Sequence, residues 1–138
     1  QRNNDWGAIM QTIQQQRAKY ALEQVDAAIR RGVNQKEYRA YASNLPAMIH
    51  MNGLGQAAAF FKSKGETHGE LYNLLSGWLC KKGQPYENCQ NLLDGITTKD
   101  MHTYRLAQAE AQALMDWVKK FAKAFMTEDG NTNRGNGS

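Results

Sequence analysis

Cysteine is scarce in this chain, with Cys80 and Cys89 the only two among 138 residues. The first residues lack the charged-then-apolar pattern of a secretion leader, so both are expected to be reduced thiols in a cytoplasmic protein. Tetrahedral zinc wants ligands paired at short spacing, whereas His50, His68 and His102 are scattered over separate segments. No metal and no cofactor are expected. Long apolar runs are missing too, since no stretch approaches the roughly 18 residues that a membrane span needs. A nucleophile beside a base, convergent carboxylates and a metal cluster are all absent as sequence signals, so no catalytic residue is assigned. Gly53 and Gly55 follow no strand and precede no Gly-Lys-Ser/Thr, which removes the phosphate-loop reading. His50 is expected to be hydrogen-bonded and partly buried, and His68 and His102 to serve at helix starts.

What is present suffices for one domain with a core. Apolar residues make up 41% of the chain, and Trp6, Trp78 and Trp117 are joined by six tyrosines and four phenylalanines. Lys and Arg number 17 against 13 Asp and Glu, a net charge of +4. That balance permits a polyanionic partner without demanding one.

Apolar residues recur at three- and four-residue steps, and strand alternation is hard to find. A long helix is expected from about Asn4 to Arg31, stopped by Gly32. A second opens at Asn34 as N-cap and carries Tyr38, Tyr41, Ala42 and Leu45 up to Pro46. Proline lacks an N–H and clashes with the preceding turn, so Pro46 is expected to kink or restart the helix, with Ser43 or Asn44 capping a short continuation. Asn52-Gly53 ends that piece, with Asn52 as a cap, and Gly53 and Gly55 bend the backbone into a helix from Gln56 to about Lys64. Ala57, Ala58, Ala59, Phe60 and Phe61 make this helix apolar almost all round, as if enclosed by others.

Leu71, Leu74, Leu75, Trp78 and Leu79 form the next amphipathic set, ending at Lys81, Lys82 and Gly83. A short helix over Tyr86 to Leu93, closed by Asp94-Gly95, follows the Gly83-Gln84-Pro85 loop. Thr97 or Thr98 is expected to cap the last long helix, with Asp100 near its positive end. There Tyr104, Ala107, Ala111, Leu114, Val118, Phe121 and Phe125 define one buried seam. The fold class is therefore all-α: a compact single-domain bundle, long first and last helices with short ones between, over residues 1–126. Residues 127–138 read as a disordered polar tail.

On the first helix, Trp6, Ile9, Ile13 and Tyr20 cluster on one side and Ala18, Leu22, Val25 and Ile29 on nearly the opposite side. Either the helix is wrapped on two sides by its own bundle, or Trp6, Ile9 and Ile13 form a docking surface for another protein chain.

With no catalytic cluster, binding is left as the business of the chain. Lys62, Lys64, Lys81 and Lys82 end helices, where the dipole attracts cations in any case. Lysines and arginines on several helices also suit phosphate contact without base readout.

Three stretches, QQRAKYAL, LPAMIHMNGLGQAAAFF and YRLAQAEAQALMDWVKKFAKAF, together resemble the small subunit of the Cmr complex, the type III-B CRISPR RNA-targeting effector. They occur in family order and reach to about Met126, with Asn-Gly-Leu-Gly-Gln the most specific element. The resemblance implies a compact all-α protein with no catalytic activity of its own. It further implies stacking of several copies along the backbone subunits, contact with the large polymerase-like subunit, and a place beside the guide RNA and target RNA. Arg17 and Arg105 lie inside matched stretches and are expected either on RNA or in structural ion pairs. Lys62 and Lys64 directly follow the specific core, while Lys81 and Lys82 lie where the match is loose; all four join the expected RNA-binding set. A free-standing helical adaptor that binds protein only is the rival, and a nuclease acting through His50 or His68 a more distant one.

Overall fold

The computed structural model describes residues 11–128, which contain no strand. Its helices are α1 (Ile13–Arg30), α2 (Gln35–Asn52), α3 (Leu54–Lys64), α4 (Glu66–Leu79), α5 (Leu92–Thr98) and α6 (Met101–Phe125). Thr12, in extended conformation, closes a capping box with Gln15 and starts α1 at Ile13. Within the described residues the first helix therefore begins there, not as the continuation of a helix running in from Asn4. Gly32 at φ +82° ends it, as expected, and the Gly32 and Val33 N–H groups donate back to Ile29 and Ala28.

Pro46 does not break α2. Asn34 caps the helix through its side chain, accepting from the Glu37 N–H at 3.0 Å, and the helix runs unbroken to Asn52. An interior proline costs about 3 kcal/mol. Leu45 and Ile49, on either side of it, are fully buried, and each is worth about 1.5–3 kcal/mol of burial that a restarted helix would misdirect. Packing outweighs propensity here.

Gly53, at φ +88°, ends α2 and starts α3 with no intervening residue, so the cap is Gly53 and not Asn52. No side chain of its own caps α3. Instead Gln108 Oε1 accepts the Leu54 N–H and the Tyr104 hydroxyl accepts the Gly55 N–H, both at 2.9 Å. Two donors orphaned at a helix start are thus satisfied from α6, which is why α3 begins at Leu54 and not at Gln56. Ala59 and Phe60 are exposed, so α3 is buried on one side only.

The segment around Tyr86–Cys89 is a set of turns, and the short helix lies later, at α5. Asn91 caps it through the Asp94 N–H, and Gly95 is its middle and not its stop. Gly95 lies against the ring of fully buried Tyr86, where an added Cβ would meet Cγ at 2.4 Å. Asp100 itself is the N-cap of α6, accepting from the Thr103 N–H at 2.9 Å. The Thr97 and Thr98 hydroxyls donate to carbonyls within α5.

α6 lies along both α1 and α2; α2, α3 and α4 pack on one another, and α5 rests on α3 and α4. The seam of α6 is buried at Ala107, Ala111, Leu114 and Val118, but Phe125 is exposed. A straight helix drifts about 20° per heptad against a strict three-four repeat, and Ala122 and Met126 occupy the buried side at the end. Thr127 and Glu128, which the expected tail includes, are tied to α2. The Thr127 N–H donates to Gln35 Oε1 at 3.0 Å, and Glu128 pairs with Arg39 at 2.7 Å. Residues 129–138 lie outside the described residues.

Candidate RNA and protein interface

Arg17 sits on α1 with its guanidinium committed inward. Its Nε donates to Glu110 Oε2 at 2.7 Å and its Nη2 to Oε1 at 2.9 Å, and Trp78 Nε1 donates to Oε2 at 2.7 Å. Glu110 thus ties α1, α4 and α6 together. Burial alone would raise the Glu110 carboxyl, but the hydrogen bonds from Arg17 and Trp78 and the Arg17 charge outweigh it and hold its pKa below the ordinary value. The Glu110 hydrogen bond likewise raises Arg17, against the lowering effect of its burial. Of the two roles expected for Arg17, the ion pair is formed with Glu110. Glu110 was not singled out from the sequence, although a carboxylate in the alanine-rich stretch AQAEAQAL, one position from the buried seam, is the signal that could have found it.

The other expected cations are exposed and enter no ion pair with another described residue: Lys62, Lys64, Lys81, Lys82 and Arg105. Arg30, Arg31 and Arg39, by contrast, pair with Asp26, Glu70 and Glu128. Lys62 and Lys64 share the last turn of α3, with their ammonium groups near the rings of Tyr72 and Phe60. Lys81 Nζ stands 4.6 Å from the Trp78 ring centroid and 5.8 Å from that of Tyr20, beside the Glu110 knot. The Lys81-Lys82 corner and the lysines of α3 lie toward opposite ends of α4, which at 14 residues is about 20 Å long. They form two patches. Leu106 and Gly83 line one cleft, so the segments carrying Arg105 and Lys82 adjoin.

Trp6 and Ile9 lie outside the described residues. Ile13 is 41% exposed and lines a cleft of 440 Å³ with Pro85 and half-exposed Leu106. Tyr20 turns into the bundle instead, its ring 4.9 Å from that of Trp78 and its hydroxyl donating to Leu74 O at 2.7 Å. Burial pushes this hydroxyl up to about 12. Of the apolar residues on the two faces of this helix, Tyr20 is wrapped by the bundle, while Ile13 and Leu22 are exposed. A second apolar groove, of 520 Å³, runs between Leu22, Val25 and Ile29 of α1 and Phe125 of α6.

His50 is exposed in the last turn of α2, not partly buried, because its side of the helix points away from Leu45 and Ile49. His68 stacks on Tyr41 with centroids 3.8 Å apart and meets Phe61 edge-on; burial, aided by Lys64, lowers its pKa. No three His, Cys, Asp or Glu among the described residues are grouped to hold a metal ion, and no described helix is long and apolar enough to cross a membrane.

Fold and surface together define a small all-α bundle whose exposed features are separate cationic patches and apolar clefts. Against known proteins, the family model described as "CRISPR-associated protein (Cas_Cmr5)" matches residues 13–125. The CRISPR system Cmr subunit Cmr5 of Thermus thermophilus is 33% identical over 120 residues, covering 86% of this chain and all of that protein. The crystal structure of a CRISPR-associated Cmr5 family protein from the same organism superposes with a TM-score of 0.73 at 32% identity, over 85% of this chain and all of the other. The chain belongs to the Cmr5 family, the small subunits of type III-B CRISPR Cmr complexes.

Proposed function

We propose that this chain is a non-catalytic structural subunit of an RNA-guided, RNA-targeting ribonucleoprotein, and that it stacks along the backbone subunits and helps to hold the guide–target duplex through phosphate contacts. Family membership over residues 13–125 carries this reading. Further support comes from the exposed cations that have no carboxylate among the described residues. Lys62 and Lys64 make one phosphate-binding patch, and Lys81, Lys82 and Arg105 the other. Arg17 is left out of both, because a guanidinium already engaged by a carboxylate in forked geometry offers little to a phosphate. The partners in this reading are the Cmr backbone subunits, the large polymerase-like subunit, further copies of the chain, and the guide and target RNAs. Its compartment is the cytoplasm. Ile13, with Trp6 and Ile9 ahead of it, supplies the protein contact.

The test is target-RNA binding by the reconstituted complex over a range of salt. Each phosphate that is no longer neutralised changes the slope of log K against log salt by about 0.7–0.9. Replacing Lys62, Lys64, Lys81, Lys82 and Arg105 together by alanine flattens the slope, and an unchanged slope sinks the assignment of those residues. Recovery of the tagged chain from its native cells with neither guide RNA nor backbone subunits would favour the adaptor reading instead.

A further inference from the structure

Both cysteines of the chain bracket the turn between α4 and α5. Cys80 ends α4, its N–H donating to Ser76 O at 3.1 Å. The Ser76 hydroxyl accepts the Leu92 N–H at 3.0 Å, three residues beyond Cys89. On the other side of the turn the Tyr86 N–H donates to Leu79 O at 2.9 Å, and the Cys89 N–H to Tyr86 O at 3.0 Å. These bonds fold residues 86–92 back onto the end of α4, so each cysteine is adjacent to a point where the two segments are clamped. Both side chains are half-buried, free, and packed on one core. Tyr86, fully buried, lies in that same core.

We propose that Cys80 and Cys89 are a dithiol modification site, oxidised within the folded chain to an intramolecular disulfide by small-molecule disulfides of the glutathione class. The Cys89 thiolate attacks one sulfur of glutathione disulfide, breaking that bond and releasing one glutathione thiolate. The Cys80 thiolate then attacks the Cys89 sulfur of the mixed disulfide and releases the second. Each cysteine gives up one proton, and two electrons pass from the pair to the glutathione disulfide. Burial pushes the Cys80 thiol up, with the Cys89 charge adding to it, which suits Cys80 to the intramolecular second step. The product ring spans Lys81 and Lys82 and pins the turn that carries them.

The full chain is equilibrated with mixtures of reduced and oxidised glutathione, native and in urea, then alkylated, digested with trypsin and weighed. Cleavage after Lys81 and Lys82 separates the cysteines, so the bond shows as a linked peptide pair that reduction splits. The native chain is expected to lose both thiols as a monomer. Its equilibrium constant should exceed that of the urea-unfolded chain by at least about tenfold, because a fold that already holds the two residues in reach removes the closure entropy. A Cys80→Ser chain should stop at the glutathione adduct. A native constant equal to or below the unfolded one, or adducts that persist on both cysteines of the native chain, overturns the proposal, since a fold that holds the pair beyond disulfide reach disfavours the bond.

Discussion

Replacing Glu110 with alanine removes the acceptor of three hydrogen bonds at the junction of α1, α4 and α6: two from Arg17 and one from the Trp78 indole. An exposed ion pair is worth up to about 1 kcal/mol, whereas breaking a buried one by removing a partner costs about 3–5 kcal/mol. Side-chain exposures of 16% for Arg17 and 13% for Glu110 place this pair near the buried limit. The Trp78 N–H, on a side chain 2% exposed, loses its partner as well, a penalty of about 1–3 kcal/mol that overlaps with the first. Glu110→Ala is therefore expected to cost about 3 kcal/mol, a midpoint shift of about 1–2 M in urea at unchanged slope. Arg17→Ala, which leaves Trp78 its acceptor, should cost about 2 kcal/mol. The double variant should fall short of the sum by about 1 kcal/mol or more, the coupling between residues of one network. A Glu110→Ala cost under about 1 kcal/mol, or additive single variants, would show that water screens the pair and that the junction does not depend on it.

Acid should find the same junction: Glu110 has a folded pKa below its ordinary 4.5, so the unfolded chain binds the proton first and its contribution, complete above that value, drains away as pH falls through the folded pKa. Urea midpoints measured from neutral to acid pH should drop less for Glu110→Gln than for the unaltered chain. Gly95→Ala should destabilise by about 1–3 kcal/mol, because the methyl runs into the buried Tyr86 ring. Gly69→Ala, in α4 with nothing within 4 Å of the new Cβ, should stabilise by about 0.5–1 kcal/mol; thermal melts of the two variants should move in opposite directions. Pro46→Ala gives α2 the N–H that it lacks for the Ala42 carbonyl and is expected to raise stability by about 1–2 kcal/mol, less than the full proline penalty because the unfolded chain also gains freedom. A lower denaturation midpoint for that variant would refute this account of the unbroken helix.

Locally encoded features were legible from the residues alone. Asn34 and Gly32 bound helices where expected, since a cap or a left-handed turn is decided by a few neighbouring atoms. Where the expectation slipped, the deciding group was distant in sequence or the pattern had two local solutions. Thr97 or Thr98 was expected to cap the last helix, and Asp100, expected only near its positive end, is the cap; Tyr86–Leu93 was expected to be helical, yet Tyr86 is taken by the pocket over Gly95. The candidate cations were legible as types, but which of them face a carboxylate was not, because Arg17 and Glu110 are 93 positions apart.

By itself, then, the sequence determined an all-helical chain, the glycine corner at Gly53, a set of candidate cations and, through three motif stretches, the family. Periodicity, cap chemistry and glycine dihedrals are properties of a residue and its near neighbours, and they survive without a tertiary context. Only the tertiary structure decided that Pro46 stays inside α2, that Tyr104 and Gln108 start α3 from across the bundle, and that Arg17 faces Glu110 while Lys81 and Lys82 face solvent. Those outcomes turn on which side chains meet across helix–helix contacts, where burial and unsatisfied hydrogen bonds cost more than local propensity can offset.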